Sequence, residues 1–115
     1  MKPDSILFTP ISIGILRICN RFVRSATHDF MADRNGFVTD RQLDLYRTLA
    51  EGKIGLIISG HTFVSTEGKG GPFQLGAESE ERQNGLRRLA ETVRNSESKM
   101  FLQISHAGRQ TTGKI

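Results

Sequence analysis

Cysteine is almost absent. Cys19 stands alone among 115 residues, so the chain can form no internal disulfide and no multi-cysteine zinc or iron–sulfur site. A reducing, cytoplasmic setting is the simplest expectation. Long apolar runs are missing too. Nothing approaches the ~18 uninterrupted apolar residues of a membrane span, and no membrane partner is expected. The opening Met1-Lys2-Pro3-Asp4-Ser5 lacks an apolar signal core and a small-residue cleavage site. Low-complexity tracts and repeats beyond a β-α unit are also lacking. Finally, there is no charge field of one sign. The net charge is +4, from 16 Lys+Arg against 12 Asp+Glu, yet acidic residues interleave with scattered bases such as Arg21, Arg82, Arg109 and Lys114. Without a basic stripe, nucleic acid is not an expected partner.

What remains is the composition of a soluble globular domain, 37% hydrophobic and 24% charged. Three apolar segments read as strands, at residues 21–25, 54–59 and 100–105. The second is a continuous apolar run, as expected where both faces of a parallel strand are covered. Residues 7–18 alternate loosely around Pro10 and Gly14 and predict a small hairpin. A first helix begins near Thr39, which with Gln42 has the spacing of a capping box. Leu43, Tyr46, Leu49 and Ala50 share its apolar face, and Gly52 stands where a left-handed C-terminal cap is expected. Ser79 is a good N-cap for a second helix, with Glu80 and Glu81 near its positive end. Leu86, Leu89, Ala90 and Val93 form the second apolar stripe.

The order is therefore β-α-β-α-β, which implies right-handed crossovers and a parallel sheet. Such sheets belong to doubly wound folds or to (β/α)8 barrels. A barrel takes eight strands and typically ~250 residues, so three strands cannot close. No helix follows the third strand, and residues 111–115 offer only Thr111-Thr112-Gly113-Lys114-Ile115. The expectation is an α/β chain that is one truncated segment of a larger domain.

In parallel α/β folds, ligands meet the carboxyl ends of the strands. There the sequence places Ser25-Ala26-Thr27-His28-Asp29, then Ser59-Gly60-His61, then Gln103 with His106-Ala107-Gly108-Arg109. All three histidines fall at this rim. Gln103 interrupts an apolar run, where a buried unpaired amide is costly. Its carboxamide both donates and accepts, which suits a heterocycle with alternating C=O and N–H groups; a bond to backbone or water is the plain alternative. Arg109 can meet an anion or simply face solvent. The glycine-rich residues 65–72 lack the spacing of a phosphate loop and make either part of a site rim or a plain connection. One rival reading makes His28, His61 and His106, with Asp29, the ligands of a metal-dependent hydrolase, although none of them has a close prearranging spacing. A non-catalytic remnant is another.

Residues 7–11 (Leu-Phe-Thr-Pro-Ile), residues 20–27 (Asn-Arg-Phe-Val-Arg-Ser-Ala-Thr), residues 55–61 and residues 101–109 (Phe-Leu-Gln-Ile-Ser-His-Ala-Gly-Arg) together resemble the opening of the old yellow enzyme-like NADH:flavin oxidoreductases. The resemblance covers nearly the whole chain and about the first third of that family's barrel domain. It implies a (β/α)8 barrel closed below by a hairpin, with FMN at the C-terminal face and NAD(P)H as reductant. The implied reaction passes hydride through the flavin to an activated alkene, typically an α,β-unsaturated carbonyl. The small-molecule substrate would be the partner, and a homo-oligomer is compatible. By the same resemblance Ser25, Ala26, Thr27 and His28 lie beside the flavin ring, and His61 and Gln103 on its pyrimidine side. His106 and Arg109 take structural roles in the adjacent loop. The sequence departs from the family at His28-Asp29-Phe30, where relatives usually carry an aromatic residue, an acid and a glycine, and at Asn95-Ser96-Glu97-Ser98, where a glycine-containing turn is usual. A substrate-anchoring pair and phosphate-binding loops are not found within residues 1–115, so the segment alone is expected to be inactive.

Overall fold

A computed structural model describes residues 4–111. Met1-Lys2-Pro3 and residues 112–115, including Lys114 and most of the expected uncovered tail, lie outside the described residues. The chain first makes a short 3₁₀ turn, Ile6–Phe8, and then the predicted hairpin. Strands β1 (Ile11–Ile13) and β2 (Leu16–Ile18) pair antiparallel, and Gly14 at the turn has φ +57°, a conformation that glycine adopts without steric penalty.

The centre is a parallel sheet of β3 (Val23–Arg24), β4 (Leu56–Ile58) and β6 (Lys99–Phe101), in the order β3-β4-β6. Helices α1 (Asp40–Glu51) and α2 (Glu80–Arg94) lie over one face. Leu43, Tyr46 and Ala50 of α1 and Leu89 and Val93 of α2 bury against Ile57. This is the expected β-α-β-α-β order, with both helix stripes turned to the sheet. Ala90 is the exception, because it is exposed, on the flank of α2 that borders a shallow cleft with Val93 and Met100.

Several local expectations are corrected. The strands are shorter than the apolar runs that encode them. The second and third break and resume as β5 (Thr62–Phe63) and β7 (Ile104–Ser105), a separate parallel pair. The break is stabilised from a side chain: Ser59 Oγ accepts the Gln103 N–H at 2.9 Å. Thr39 does cap α1, accepting the Gln42 N–H at 3.2 Å, but Gln42 does not return the bond, since its amide reaches Asp29 instead. Gly52 has φ −71°; the left-handed residue is Lys53, at φ +61°. Ser79 occupies the N-cap without a side-chain bond to the helix backbone, because its hydroxyl accepts from Arg82 Nη1 at 2.9 Å.

Candidate functional site

Past Arg24 the β3–β4 ladder stops, so the backbone of residues 25–28 is released from the sheet just above it. Gly60, at the break after β4, comes against this segment. A Cβ on Gly60 would lie 2.7 Å from the Thr27 carbonyl oxygen and 3.3 Å from the His28 Cα. Only glycine allows so close an approach of two loops. On the other side, the Gln103 N–H is held by Ser59 Oγ at 2.9 Å and its carbonyl accepts the Thr62 N–H at 2.8 Å. Residues 25–28, 60–61 and 103 thus form one continuous rim at the carboxyl ends of three parallel strands.

The polar groups of this rim remain largely outward. Ser25, Thr27 and Gln103 are exposed. Within the described residues the apolar run around Gln103 is open as well, with Phe101 at 43% and Ile104 at 66% exposure. The Thr27 hydroxyl donates to the Ser25 carbonyl at 3.1 Å. The carboxamide of Gln103 and the hydroxyls of Ser25 and Thr27 offer a mixed donor and acceptor set.

His28 and His61 meet edge to face, with ring centroids 4.8 Å apart, and the Phe30 ring lies against His28 at 3.8 Å, tilted by 44°. Burial lowers the His28 pKa below its ordinary 6.5, and the neighbouring His61 imidazole lowers it further. The Asp29 carboxylate and the Pro72 carbonyl oppose this without reversing it. His28 is consequently held neutral at pH 7, able to donate and accept without carrying charge.

Three buried residues that the sequence did not place at the site support the rim. Gln42 is 2% exposed and donates to both Asp29 oxygens, at 3.2 and 3.1 Å, while Asp29 Oδ1 accepts the Met31 N–H at 2.9 Å. One turn further along α1, the Tyr46 hydroxyl accepts the Gly60 N–H at 3.2 Å; burial raises the Tyr46 pKa above 10.0. Gln74 is fully buried. Its amide donates to the His61 carbonyl and to Ser105 Oγ, both at 3.3 Å, and its oxygen accepts the Gly70 N–H at 2.6 Å. The clue was present for Gln74, a polar residue between Phe73 and Leu75. The local signals at Gln42 and Tyr46 pointed to a cap and a helix face, not to the rim, because their rim partners are 13 and 14 residues away.

His106 is not part of the His28–His61 pair. Its ring packs over Gly68, where a Cβ would approach its Cδ2 to 2.4 Å, and its Nδ1 accepts the Gly108 N–H at 3.0 Å. Arg109 is exposed in the short 3₁₀ turn Gly108–Gln110. Among the described residues no three His, Cys, Asp or Glu side chains are grouped to hold a metal ion, so the hydrolase reading loses its ligand set. The glycine-rich segment is tied to the loop after β7, where the Ala107 N–H donates to the Gly68 carbonyl at 2.9 Å.

The profile of the NADH:flavin oxidoreductase / NADH oxidase family matches residues 6–114. The chain is 39% identical over 110 residues to an NADH oxidase of Thermoanaerobacter brockii, covering 95% of this chain and 17% of that protein. It is 36% identical over 109 residues to an NADPH dehydrogenase of Geobacillus sp. (strain WCH70), covering 94% of this chain and 32% of that one. In three dimensions it is similar to the Old Yellow Enzyme from Pichia sp. AKU4542, with TM-score 0.88 and 26% identity, over 94% of this chain and 28% of that one. The match is to the N-terminal part of a (β/α) barrel. The chain thus spans about a third or less of the length of the relatives it matches.

Proposed function

Because the chain belongs to the NADH:flavin oxidoreductase / NADH oxidase family, we propose that it builds one wall of an FMN site in an NAD(P)H-dependent oxidoreductase whose acceptor is an activated alkene, such as an α,β-unsaturated carbonyl. The observation that carries this reading is the continuous strand-end rim, with Gly60 closed onto Thr27 and Gln103 tied to Ser59. In this reading Ser25, Ala26, Thr27 and His28 lie beside the flavin ring, and His61 and Gln103 take its pyrimidine side. The donor set fits the group, since an isoalloxazine edge alternates C=O and N–H, and a carboxamide with nearby hydroxyls can answer both. Bound FMN supplies a two-electron carrier between nicotinamide and acceptor.

The chain's own residues bind and orient. Gln103 holds its carboxamide at a fixed height because its backbone is bonded on both sides. His28, neutral through burial, adds a hydrogen-bonding ring without a competing charge. Tyr46 and Gln42 fix the two loops from below. The remaining barrel strands, the phosphate-binding loops and the substrate anchors are proposed to come from sequence equivalent to the rest of the relatives. A reducing cytoplasm, where Cys19 stays a thiol, is the proposed compartment.

Replacing the matching segment of the Geobacillus NADPH dehydrogenase with this chain tests the reading. The hybrid should retain flavin absorbing near ~450 nm, and Gln103→Leu should weaken FMN retention roughly tenfold, as expected for one lost hydrogen bond of about 1–2 kcal/mol. A folded but colourless hybrid, or flavin affinity indifferent to Gln103→Leu, overturns it.

A further inference from the structure

Two phenylalanines in different loops share an unusual backbone. Phe30, in the loop after β3, has φ +56°, and Phe73, in the loop after β5, has φ +58°. For a bulky L-residue this conformation is sterically disfavoured, and such outliers concentrate where a ligand is held. Burial does not offset the strain at Phe30, which is 59% exposed.

The two rings face one cleft. It measures about 590 Å³ and is lined by Phe30, Met31, Ala32, Thr39, Arg41 and Phe73. Its lining is apolar but for the Thr39 hydroxyl, which donates to the Met31 carbonyl, and the Arg41 side chain. Arg41 takes part in none of the three ion pairs among the described residues. A second cation, Arg34, lies over the Phe73 ring at 5.6 Å. The site therefore offers two aromatic faces, a floor of small and flexible apolar groups, and two guanidinium groups that take part in none of the ion pairs among the described residues.

We propose that this cleft binds a small planar molecule bearing one carboxylate, with its rings against Phe30 and Phe73 and its carboxylate on Arg41. Planar apolar groups gain from aromatic contact beyond simple burial, and a guanidinium presents paired donors that match a carboxylate. Every lining residue lies within this chain, so the site does not depend on the flavin reading. The two adjoin through the Phe30 ring, which lies tilted against His28, and through the Met31 N–H, which donates to Asp29 Oδ1.

Titrating the full chain with 2-naphthoate and with uncharged 2-naphthamide, followed by NMR shifts of the chain, tests this. Saturable naphthoate binding is expected. Arg41→Gln should weaken naphthoate roughly tenfold and leave naphthamide unchanged, as for one lost charge-assisted bond. Phe30→Gly and Phe73→Gly should weaken both ligands without lowering the melting temperature, because glycine adopts positive φ freely. Ile104→Ser, on the exposed sheet edge, should alter neither. Non-saturable binding, naphthoate affinity unmoved by Arg41→Gln, or an equal loss in Ile104→Ser overturns the proposal. All of these outcomes are read without FMN, so they stand or fall separately from the proposed oxidoreductase site.

Discussion

At the N-terminal ends of the parallel strands Asn20 satisfies three backbone groups, whereas at the C-terminal ends His28 meets His61 ring to ring and Gln103 stands exposed. The lower end is cross-tied by side chains to the backbone. Asn20 Oδ1 accepts the Phe22 N–H at 3.1 Å and the Gly55 N–H at 2.9 Å, and its amide donates to the Lys53 carbonyl at 2.7 Å. Gly55 is packed so tightly there that a Cβ would lie 2.7 Å from Asn20 O, Asn20 Oδ1 and Ile18 Cγ2. Arg21 adds bonds to the Thr9 and Pro10 carbonyls, each at 3.1 Å. At the upper end the buried bonds run underneath, from Gln42, Tyr46 and Gln74, and the outermost groups keep free capacity. Barrel-type folds use their lower face for stability and their upper face for chemistry, and the contrast is already present in this segment.

The contrast predicts an order of effects. Asn20→Ala should be the most damaging, about 2–4 kcal/mol, because it orphans two N–H groups and a carbonyl at once; denaturant unfolding of the chain measures it. Tyr46→Phe leaves only the Gly60 N–H without its acceptor and should cost about 1–2 kcal/mol. It should also shift the His28 and His61 ring resonances, which Asn20→Ala should leave alone. If Tyr46→Phe proved the costlier, the lower end would not be the stability centre. The smallest effect concerns pH. His28 has a folded pKa below its unfolded 6.5, so between those two values the unfolded chain binds more protons. Stability is full above pH 6.5 and is lost as the pH falls toward the folded pKa. His28→Ala should flatten that slope, and an unchanged slope would place the titration elsewhere.

Much of the fold was legible in the sequence because its signals are local. Thr39 with Gln42, the spacing of Leu43, Tyr46 and Ala50, and the apolar run at residues 54–59 each act within a turn or a strand. The misreadings involve partners remote in sequence. Gln42 looked like half of a capping box, but the Asp29 carboxylate competes for its amide. Residues 100–105 looked like one strand, but Ser59 takes the Gln103 N–H and divides it. Phe30 and Phe73 gave no sign of a shared cleft, since a positive φ at phenylalanine is not written in residue type.

By itself the sequence determined the element order, the parallel sheet, both apolar helix faces and the strand-end location of every candidate site residue, because periodicity, caps and chain direction are properties of short segments. Only the tertiary structure decided which groups meet: Gly60 against Thr27, Tyr46 beneath Gly60, His28 on His61, and two strained phenylalanines around one cleft. Those contacts join residues across the β-α crossovers, and they form only once the helices have packed against the sheet.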